Sequence, residues 1–123
     1  MAENTGIEIS LEQGVCVIMF LDKSLSDTQE IAAVSELINS YISEKLPQKV
    51  VVDFSRVSFF SSRVLGLLLE IRKKLEKYGA KMVISSIEPQ LYRVFKITNL
   101  NTMFRFFPDK QSAIDTISLK DEN

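Results

Sequence analysis

The sequence predicts an α/β fold with a mixed, mostly parallel β-sheet of about four or five strands, an N-terminal antiparallel hairpin and about four covering helices. Short apolar, β-branched stretches alternate with stretches of helical periodicity, and this alternation requires crossover connections between parallel strands. The first two stretches are separated only by Gln13-Gly14, a turn sequence that favours antiparallel pairing. The predicted strands lie near residues 7–12, 15–21, 50–54, 81–85 and 103–106.

Length and composition are those of an ordinary globular domain. The chain has 123 residues, of which 46% are hydrophobic and 25% charged, and this is enough to bury one core. We expect a single domain over residues 1–123, with loose ends at 1–5 and 120–123. The formal net charge of −1 gives no electrostatic reason to expect nucleic acid or an anionic membrane as a partner.

The sequence contains no histidine, and this absence excludes the commonest kinds of active site. A Ser-His or Cys-His nucleophile pair cannot form. The single cysteine, Cys16, lies in an apolar run, where a small core residue is more typical than a nucleophile or a zinc ligand. The four glycines are too scattered to form a phosphate-binding loop. We therefore expect no enzyme activity, no cofactor and no metal.

Hydropathy and cysteine usage indicate where the protein works. No apolar run approaches the length of a membrane span, and the chain does not begin with the basic and then apolar pattern of a signal peptide. A lone cysteine cannot form an internal disulfide. These features together predict a reducing, cytoplasmic location.

The predicted hairpin has one half-buried strand and one fully buried strand. Residues 7–12 alternate between apolar and polar, which is typical of an outer strand at the edge of a sheet. Residues 15–21 are apolar on both faces, so we expect them to lie inside the sheet.

A long helix follows the hairpin. Ser26 and Gln29 have the spacing of a capping box at its start, and Asp27 is the alternative cap. The helix should run to about Leu46, because Pro47 prevents its continuation.

A buried strand and a second helix meet in the segment Val50–Ile71. Val50–Phe54 is apolar apart from Asp53, which predicts a strand buried on both faces. The helical pattern starts at Arg63, and Gly79 is placed to end the helix.

Ser61 and Ser62 stand where this second helix begins, and both are good N-cap residues. If Ser62 is the N-cap, its hydroxyl lies beside free backbone N–H groups and the positive end of the helix dipole, where a phosphate would be stabilised. The residues alone favour the simpler interpretation, in which Ser62 only caps the helix.

The remaining elements complete the alternation. Lys81–Ser85 is predicted as a short buried strand, and residues 86–97 as a helix with Pro89 in its first turn. The aromatic stretch 103–107 should form the last strand or its edge, and Pro108-Asp109 opens a final helix.

Residues 57–66, V-S-F-F-S-S-R-V-L-G, resemble the signature of the STAS domains, and in particular of the bacterial anti-sigma-factor antagonists. In that family a buried strand is followed by Asp-Ser, one variable residue and Gly-Leu-Gly at the start of a helix. Ser62 matches the serine that a partner kinase phosphorylates in the family, and Leu65 and Gly66 match the end of the motif.

Other positions extend or modify this resemblance. Asp53 and Ser55 match a strand that ends Asp-Leu-Ser in the family. Ser61 replaces the acidic residue before the serine, and Val64 replaces the first glycine. The order of elements matches over residues 7–117, so the resemblance implies a STAS-like fold.

The resemblance also implies a protein-binding switch. The unphosphorylated protein would bind an anti-sigma factor, or a related serine protein kinase, and so release a sigma factor. Phosphorylation of Ser62, with Ser61 as the alternative, would add about −1.5 to −2 charges to the docking face and release the partner. A protein phosphatase would reset the switch, and self-association is left open.

The predicted partner surface surrounds Ser62. Leu65 and Leu69 lie roughly 100–140° around the helix from Val64, away from the main apolar face. We favour the interpretation that a neighbouring helix covers them, and an apolar docking patch is the alternative. The predicted surface comprises Ser61, Arg63, Leu65, Leu69, Ser24 and Asp27.

Two other functions compete with the switch. The chain could be a constitutive, non-phosphorylated STAS scaffold subunit of a signalling or transport complex, which the residues at 61 and 64 favour. It could also be a small enzyme or nucleotide binder, against which the missing histidine and the missing glycine loop argue.

Overall fold

The computed structural model describes residues 6–118, which form a five-stranded mixed sheet, a second sheet of two very short strands, and four helices. The predicted loose ends lie outside the described residues. In chain order the elements are β1 (Ile7–Glu12), β2 (Val15–Phe20), β3 (Ser24–Leu25), α1 (Thr28–Lys45), β4 (Lys49–Asp53), β5 (Phe59–Phe60), α2 (Ser62–Glu76), β6 (Lys81–Ser85), α3 (Pro89–Ile97), β7 (Phe106–Phe107) and α4 (Lys110–Ile117).

The main sheet has the order β1-β2-β4-β6-β7, and the predicted fold class is confirmed. β1 and β2 pair antiparallel, with Glu12 opposite Val15, and the other neighbours pair parallel. Gln13 (φ 55°) and Gly14 (φ 76°) are both left-handed, as a tight hairpin turn requires. β1 is an edge strand in which Ile7 is buried and Glu8 exposed as expected, but Leu11, expected on the inner face, is 69% exposed.

Side chains alternate between the two faces of the main sheet along each strand. Helices cover both faces, so the sheet has a core on each side. One face packs against α1, α2 and α3, and its central side chains are Cys16, Ile18, Val50, Val52 and Ile84. The other face packs against α4 through Val15, Val17, Val51, Val83, Ala113 and Ile114. The prediction that Cys16 is a small core residue is confirmed.

The two ends of α1 are set by local chemistry. The Asp27 carboxylate accepts hydrogen bonds from the amides of Gln29 (2.8 Å) and Glu30 (3.2 Å). The capping box built on Ser26 is therefore wrong, and the alternative cap is confirmed. α1 ends at Leu46, which is left-handed (φ 46°) and donates its amide to the last turn.

The last strand and two short strands differ from the prediction. The chain turns before it reaches β7, because the amide of Met103 donates to the carbonyl oxygen of Leu100 (3.0 Å) and Phe104 enters the core. β7 therefore starts at Phe106, later than the predicted range 103–106. β3 and β5 were not predicted, since two residues are too few to show a period.

Over residues 6–118, no helix combines the length and the apolar character that crossing a membrane requires.

Candidate functional site

The start of α2 lies at the carboxyl edge of the parallel strands, where β3 and β5 pair with each other. The amide of Ser61 donates to the carbonyl oxygen of Leu25 (3.0 Å), and the amide of Ser58 donates to that of Lys23 (2.8 Å). The polar loop between β2 and α1 is therefore held against the segment that leads into Ser62.

Ser61, and not Ser62, is the N-cap of α2. Ser61 has an extended backbone (φ −86°, ψ 167°), and the amide of Val64 donates to its carbonyl oxygen (3.0 Å). The prediction was one residue too late, because two adjacent serines give the same capping signal. The Ser61 hydroxyl makes no capping bond, and its oxygen is buried without a hydrogen-bond partner among the described residues.

Ser62 is the first residue of the helix and is exposed. The first turn of α2 contains no acidic residue, so no carboxylate within that turn offsets the positive end of the helix dipole. The amides of Ser62 and Arg63 precede the first intrahelical hydrogen bond, which the Val64 amide makes to the Ser61 carbonyl oxygen, and the Arg63 side chain is also exposed. An anionic group on the Ser62 hydroxyl would therefore meet a favourable local field.

Gly66 lies one turn after Ser62 on the same exposed side of α2. A Cβ added at Gly66 would meet nothing within 4 Å, so no contact inside the chain requires a glycine. A glycine inside a helix costs roughly 0.5–1 kcal/mol relative to alanine. The outer surface of α2 therefore has exposed backbone at Gly66, beside Ser62. The packing of the described residues does not explain why a glycine stands there.

The two predicted leucines are not part of an open surface. Leu65 is only 6% exposed and belongs to the core, so its place in the predicted partner surface is wrong. Leu69 is half-buried and packs against the same core. The favoured interpretation, cover by a neighbouring helix, agrees with the packing of α1 on α2. Val64 is also buried, so it does not obstruct the outer face of the helix start.

The other predicted surface residues lie on the loop beside Ser62 or on the helix start. Ser24 is exposed, and its hydroxyl lies 3.3 Å from that of Ser26. Asp27 is exposed, but its carboxylate is engaged in capping α1. The structure therefore brings Ser24 to the same edge as Ser62.

Sequence reasoning missed Phe59, which is 54% exposed and pairs with Ser24 across β3 and β5. Phe60 points the other way and is buried. The signal was present in the sequence, since adjacent residues of a strand face opposite sides. An exposed aromatic side chain at this edge is a typical anchor in protein interfaces.

Asp53 is the centre of a buried hydrogen-bond cluster at the same edge, and it is only 1% exposed. Its Oδ2 accepts bonds from the Ser55 hydroxyl (2.6 Å) and amide (3.2 Å). Its Oδ1 accepts bonds from the hydroxyls of Ser85 and Ser86, both at 2.7 Å. The cluster ties the ends of β4 and β6 to the turn that leads towards Ser62. The sequence indicated Asp53 and Ser55 but not the two serines after β6.

The only thiol of the sequence is not a candidate nucleophile. Burial raises the pKa of Cys16 to about 11, and a hydrogen bond with Tyr41 offsets part of that rise. The thiol is therefore protonated at neutral pH, and only the thiolate is a strong nucleophile.

Comparison with known proteins identifies the family. The family model of the STAS domain matches residues 7–113, so this chain belongs to the STAS domain family.

Individual relatives agree with this assignment. A STAS-domain protein from Planctomyces limnophilus, described as an anti-sigma-factor antagonist, is 22% identical, with a TM-score of 0.84 over 92% of this chain and 98% of that chain. Bacillus SpoIIAA in its phosphorylated form is 22% identical, with a TM-score of 0.70 over 90% and 98%. BtrV of Bordetella bronchiseptica, described as a candidate anti-sigma factor antagonist, is 24% identical over 71% of this chain and 84% of that protein. At these identities, the solved structures establish a shared fold.

Proposed function

We propose that this protein is an anti-sigma-factor antagonist that works as a phosphorylation-controlled binding module, with Ser62 as the phosphoacceptor. The observation that carries the proposal is the exposure of Ser62 at the first position of α2, a helix whose first turn contains no acidic residue. The match of Ser62 to the family motif and the existence of a phosphorylated form of the relative SpoIIAA support it.

The two serines differ in accessibility, and the difference favours Ser62 over Ser61. The Ser61 oxygen is buried, and its amide is held by Leu25. A kinase would have to pull Ser61 out of this position before it could place the hydroxyl in line with a phosphate donor. Ser62 needs no such rearrangement.

The partner surface proposed here consists of exposed residues around Ser62. They are Ser24, Phe59, Arg63 and Gly66. Phe59 would supply the apolar anchor, and the bare backbone at Gly66 would allow a partner to approach closely.

Phosphorylation would act on this surface by adding about −1.5 to −2 charges. Inside the protein, the phosphate would be stabilised by the helix start and by Arg63. In the complex, the same charge would have to be desolvated against a partner shaped for a neutral hydroxyl, and this costs binding energy. The fold would therefore tolerate the modification while the complex dissociates.

The partners implied are an anti-sigma factor with serine kinase activity and a phosphatase that removes the phosphate. The protein itself would bind rather than catalyse, and it would act in the cytoplasm beside the transcription machinery. Binding of nucleic acid by this chain is not part of the proposal.

A constitutive scaffold role is the second candidate, and the residue at position 61 favours it. Ser61 places no charge where the family has an acidic residue beside the phosphoacceptor. A kinase that reads this charge would act poorly on the chain, and Ser62 would then serve only as the first residue of α2.

Phosphosite mapping separates the two functions. The protein is isolated from its native cells under several growth and stress conditions, and its intact mass and the tryptic peptide Val57–Arg63 are analysed. Phosphate on Ser62 is the expected result. Phosphate on Ser61 would contradict the accessibility argument, and an unmodified peptide under every condition would favour the constitutive scaffold.

A further inference from the structure

A cavity of about 400 Å³ lies beside the start of α2, between α1, α2 and the carboxyl end of β2. Its floor consists of buried apolar side chains: Phe20, Leu25, Ile31, Val34, Val64 and Leu67. The cavity is partly open to solvent, and exposed residues such as Glu30 and Ala33 line its mouth. The volume lies in the range of small-molecule sites.

Two carboxylates, Asp22 and Glu30, lie on the rim of this cavity, and no lysine or arginine lines it. Asp22 is half-buried and Glu30 is exposed. Within residues 6–118, neither carboxylate has a hydrogen bond or an ion pair. A negative rim over an apolar floor favours a cation, because low-dielectric walls strengthen and focus the field of the carboxylates.

Gly6 helps to keep the rim open. A Cβ at this position would lie 3.2 Å from the Val34 side chain and 3.7 Å from the Asp22 carboxylate. Gly6 also has a φ of 81°, which other residues rarely adopt. Any side chain at residue 6 would therefore project towards the carboxylate that a ligand would use.

We propose that this cavity binds a small amphipathic cation, with an ammonium group at Asp22 and Glu30 and an apolar body against Val34 and Val64. This inference does not depend on the proposed function. The cavity nevertheless shares residues with the candidate site, because the Leu25 carbonyl oxygen holds the amide of Ser61 and Val64 lies in the first turn of α2. A bound ligand would therefore touch both segments that position Ser62.

The test is an NMR titration of the ¹⁵N-labelled full chain with three small molecules that share a phenyl ring and differ in charge. Phenethylamine carries a positive charge, phenethyl alcohol is neutral and phenylacetate is negative. Phenethylamine should shift the amide signals of Leu25, Val34, Val64 and Ser62 in a saturable way. It should bind about fivefold more tightly than the alcohol, as one partly screened charge pair implies, and phenylacetate should bind most weakly. Equal affinities for the three probes, or shifts scattered over the surface, would overturn the proposal.

Two matched pairs of variants locate the site. Asp22→Asn should lower the affinity for phenethylamine towards that for phenethyl alcohol, whereas Glu44→Gln, which changes an exposed carboxylate at the far end of α1, should change neither affinity. Ala33→Phe on the rim should block both probes, and the exposed Ala32→Phe beside it should not. Both alanines are exposed, so neither change disturbs the core. Equal effects within either pair would contradict the assignment.

Discussion

The Asp53 cluster and the start of α2 lie at the same edge of the sheet, and both contain serine hydroxyls. The hydroxyls of the cluster are hydrogen-bonded, whereas those at the start of α2, within the described part of the chain, are not. In the cluster, one buried carboxylate accepts four hydrogen bonds from three serines. At the start of α2, the Ser61 hydroxyl oxygen is buried without a hydrogen-bond partner among residues 6–118, and Ser62 is exposed. The serines of the cluster are used by the fold, whereas Ser62 is open to solvent.

This contrast shows how a rigid frame can present an exposed hydroxyl. A buried charge is tolerated only when its hydrogen-bonding capacity is filled, and a filled cluster holds the strand ends in one arrangement. The position of the Ser62 hydroxyl is then set by the backbone at the start of α2 and not by a hydrogen bond of the side chain. The two regions should therefore respond differently to substitution, with stability lost in one and binding lost in the other.

The largest effect is expected from Asp53→Ala. This change leaves the Ser85 hydroxyl buried without an acceptor and releases the turn at Ser55, so the free energy of unfolding should fall by about 3 kcal/mol. Ser62→Ala should change it by less than about 0.5 kcal/mol. Urea denaturation measures both values. A loss below about 1 kcal/mol for Asp53→Ala would show that the cluster does not hold the ends of β4 and β6 in place.

The second largest effect is expected on the affinity of Ser62 variants for the proposed partner. Ser62→Asp should weaken the complex with the anti-sigma factor by about 100-fold, because a desolvated charge enters the interface, while Ser62→Ala retains the affinity. Calorimetry with the isolated partner measures this difference. Ser43→Asp, an exposed serine on α1, is the matched control for added charge. Equal affinities of the two Ser62 variants would contradict the switch.

The buried thiol of Cys16 should make the stability of the fold depend on pH. Burial raises the pKa of Cys16 from 9.0 to about 11, so above pH 9 the unfolded state loses its proton first. The stability that the protonated thiol contributes is fully present below pH 9 and is lost as the pH rises towards 11. Between pH 9 and 10, the free energy of unfolding should fall by about 1 kcal/mol more than it does in Cys16→Ala.

Urea denaturation at both pH values measures this difference in slope. Burial also raises the pKa of Tyr41 and Tyr78, and the nearby Cys16 adds to both rises, so the difference in slope measures the thiol together with its coupling to the two tyrosines. Parallel slopes for the two chains would show that Cys16 ionises as readily in the folded state as in the unfolded state.

A small gain in stability is expected from Gly66→Ala. Its Cβ meets nothing, so helix propensity should raise the free energy of unfolding by about 0.5–1 kcal/mol. If a partner approaches the bare backbone, the same change should weaken binding about tenfold. Thermal unfolding and calorimetry give the two values, and a variant that is more stable and binds with full affinity would place the interface elsewhere.

Much of the fold was predictable because its signals are local. The hairpin turn, the C-cap of α1 at Leu46 and the order of the strands follow from periodicity and from turn residues, whereas α2 ends at Glu76, before the predicted Gly79. The very short strands β3 and β5 were not predictable, since their pairing depends on a loop meeting a segment far along the chain.

The candidate site was predictable only in part, for the same reason. The motif located Ser62 at the start of a helix, but it could not decide between two adjacent serines for the N-cap or place Leu65 in the core. The exposure of Phe59 could have been inferred from strand alternation, but β5 itself was not recognised.

The sequence by itself determined the α/β class, the order of the elements and the absence of histidine chemistry, because these depend on residue types and on short-range periodicity. Only the tertiary structure decided that Asp53 gathers Ser85 and Ser86, that α1 covers one side of α2, and that a cavity opens beside Val64. These features depend on strand order and helix packing, which bring together residues that are distant along the chain and leave no mark in the local pattern.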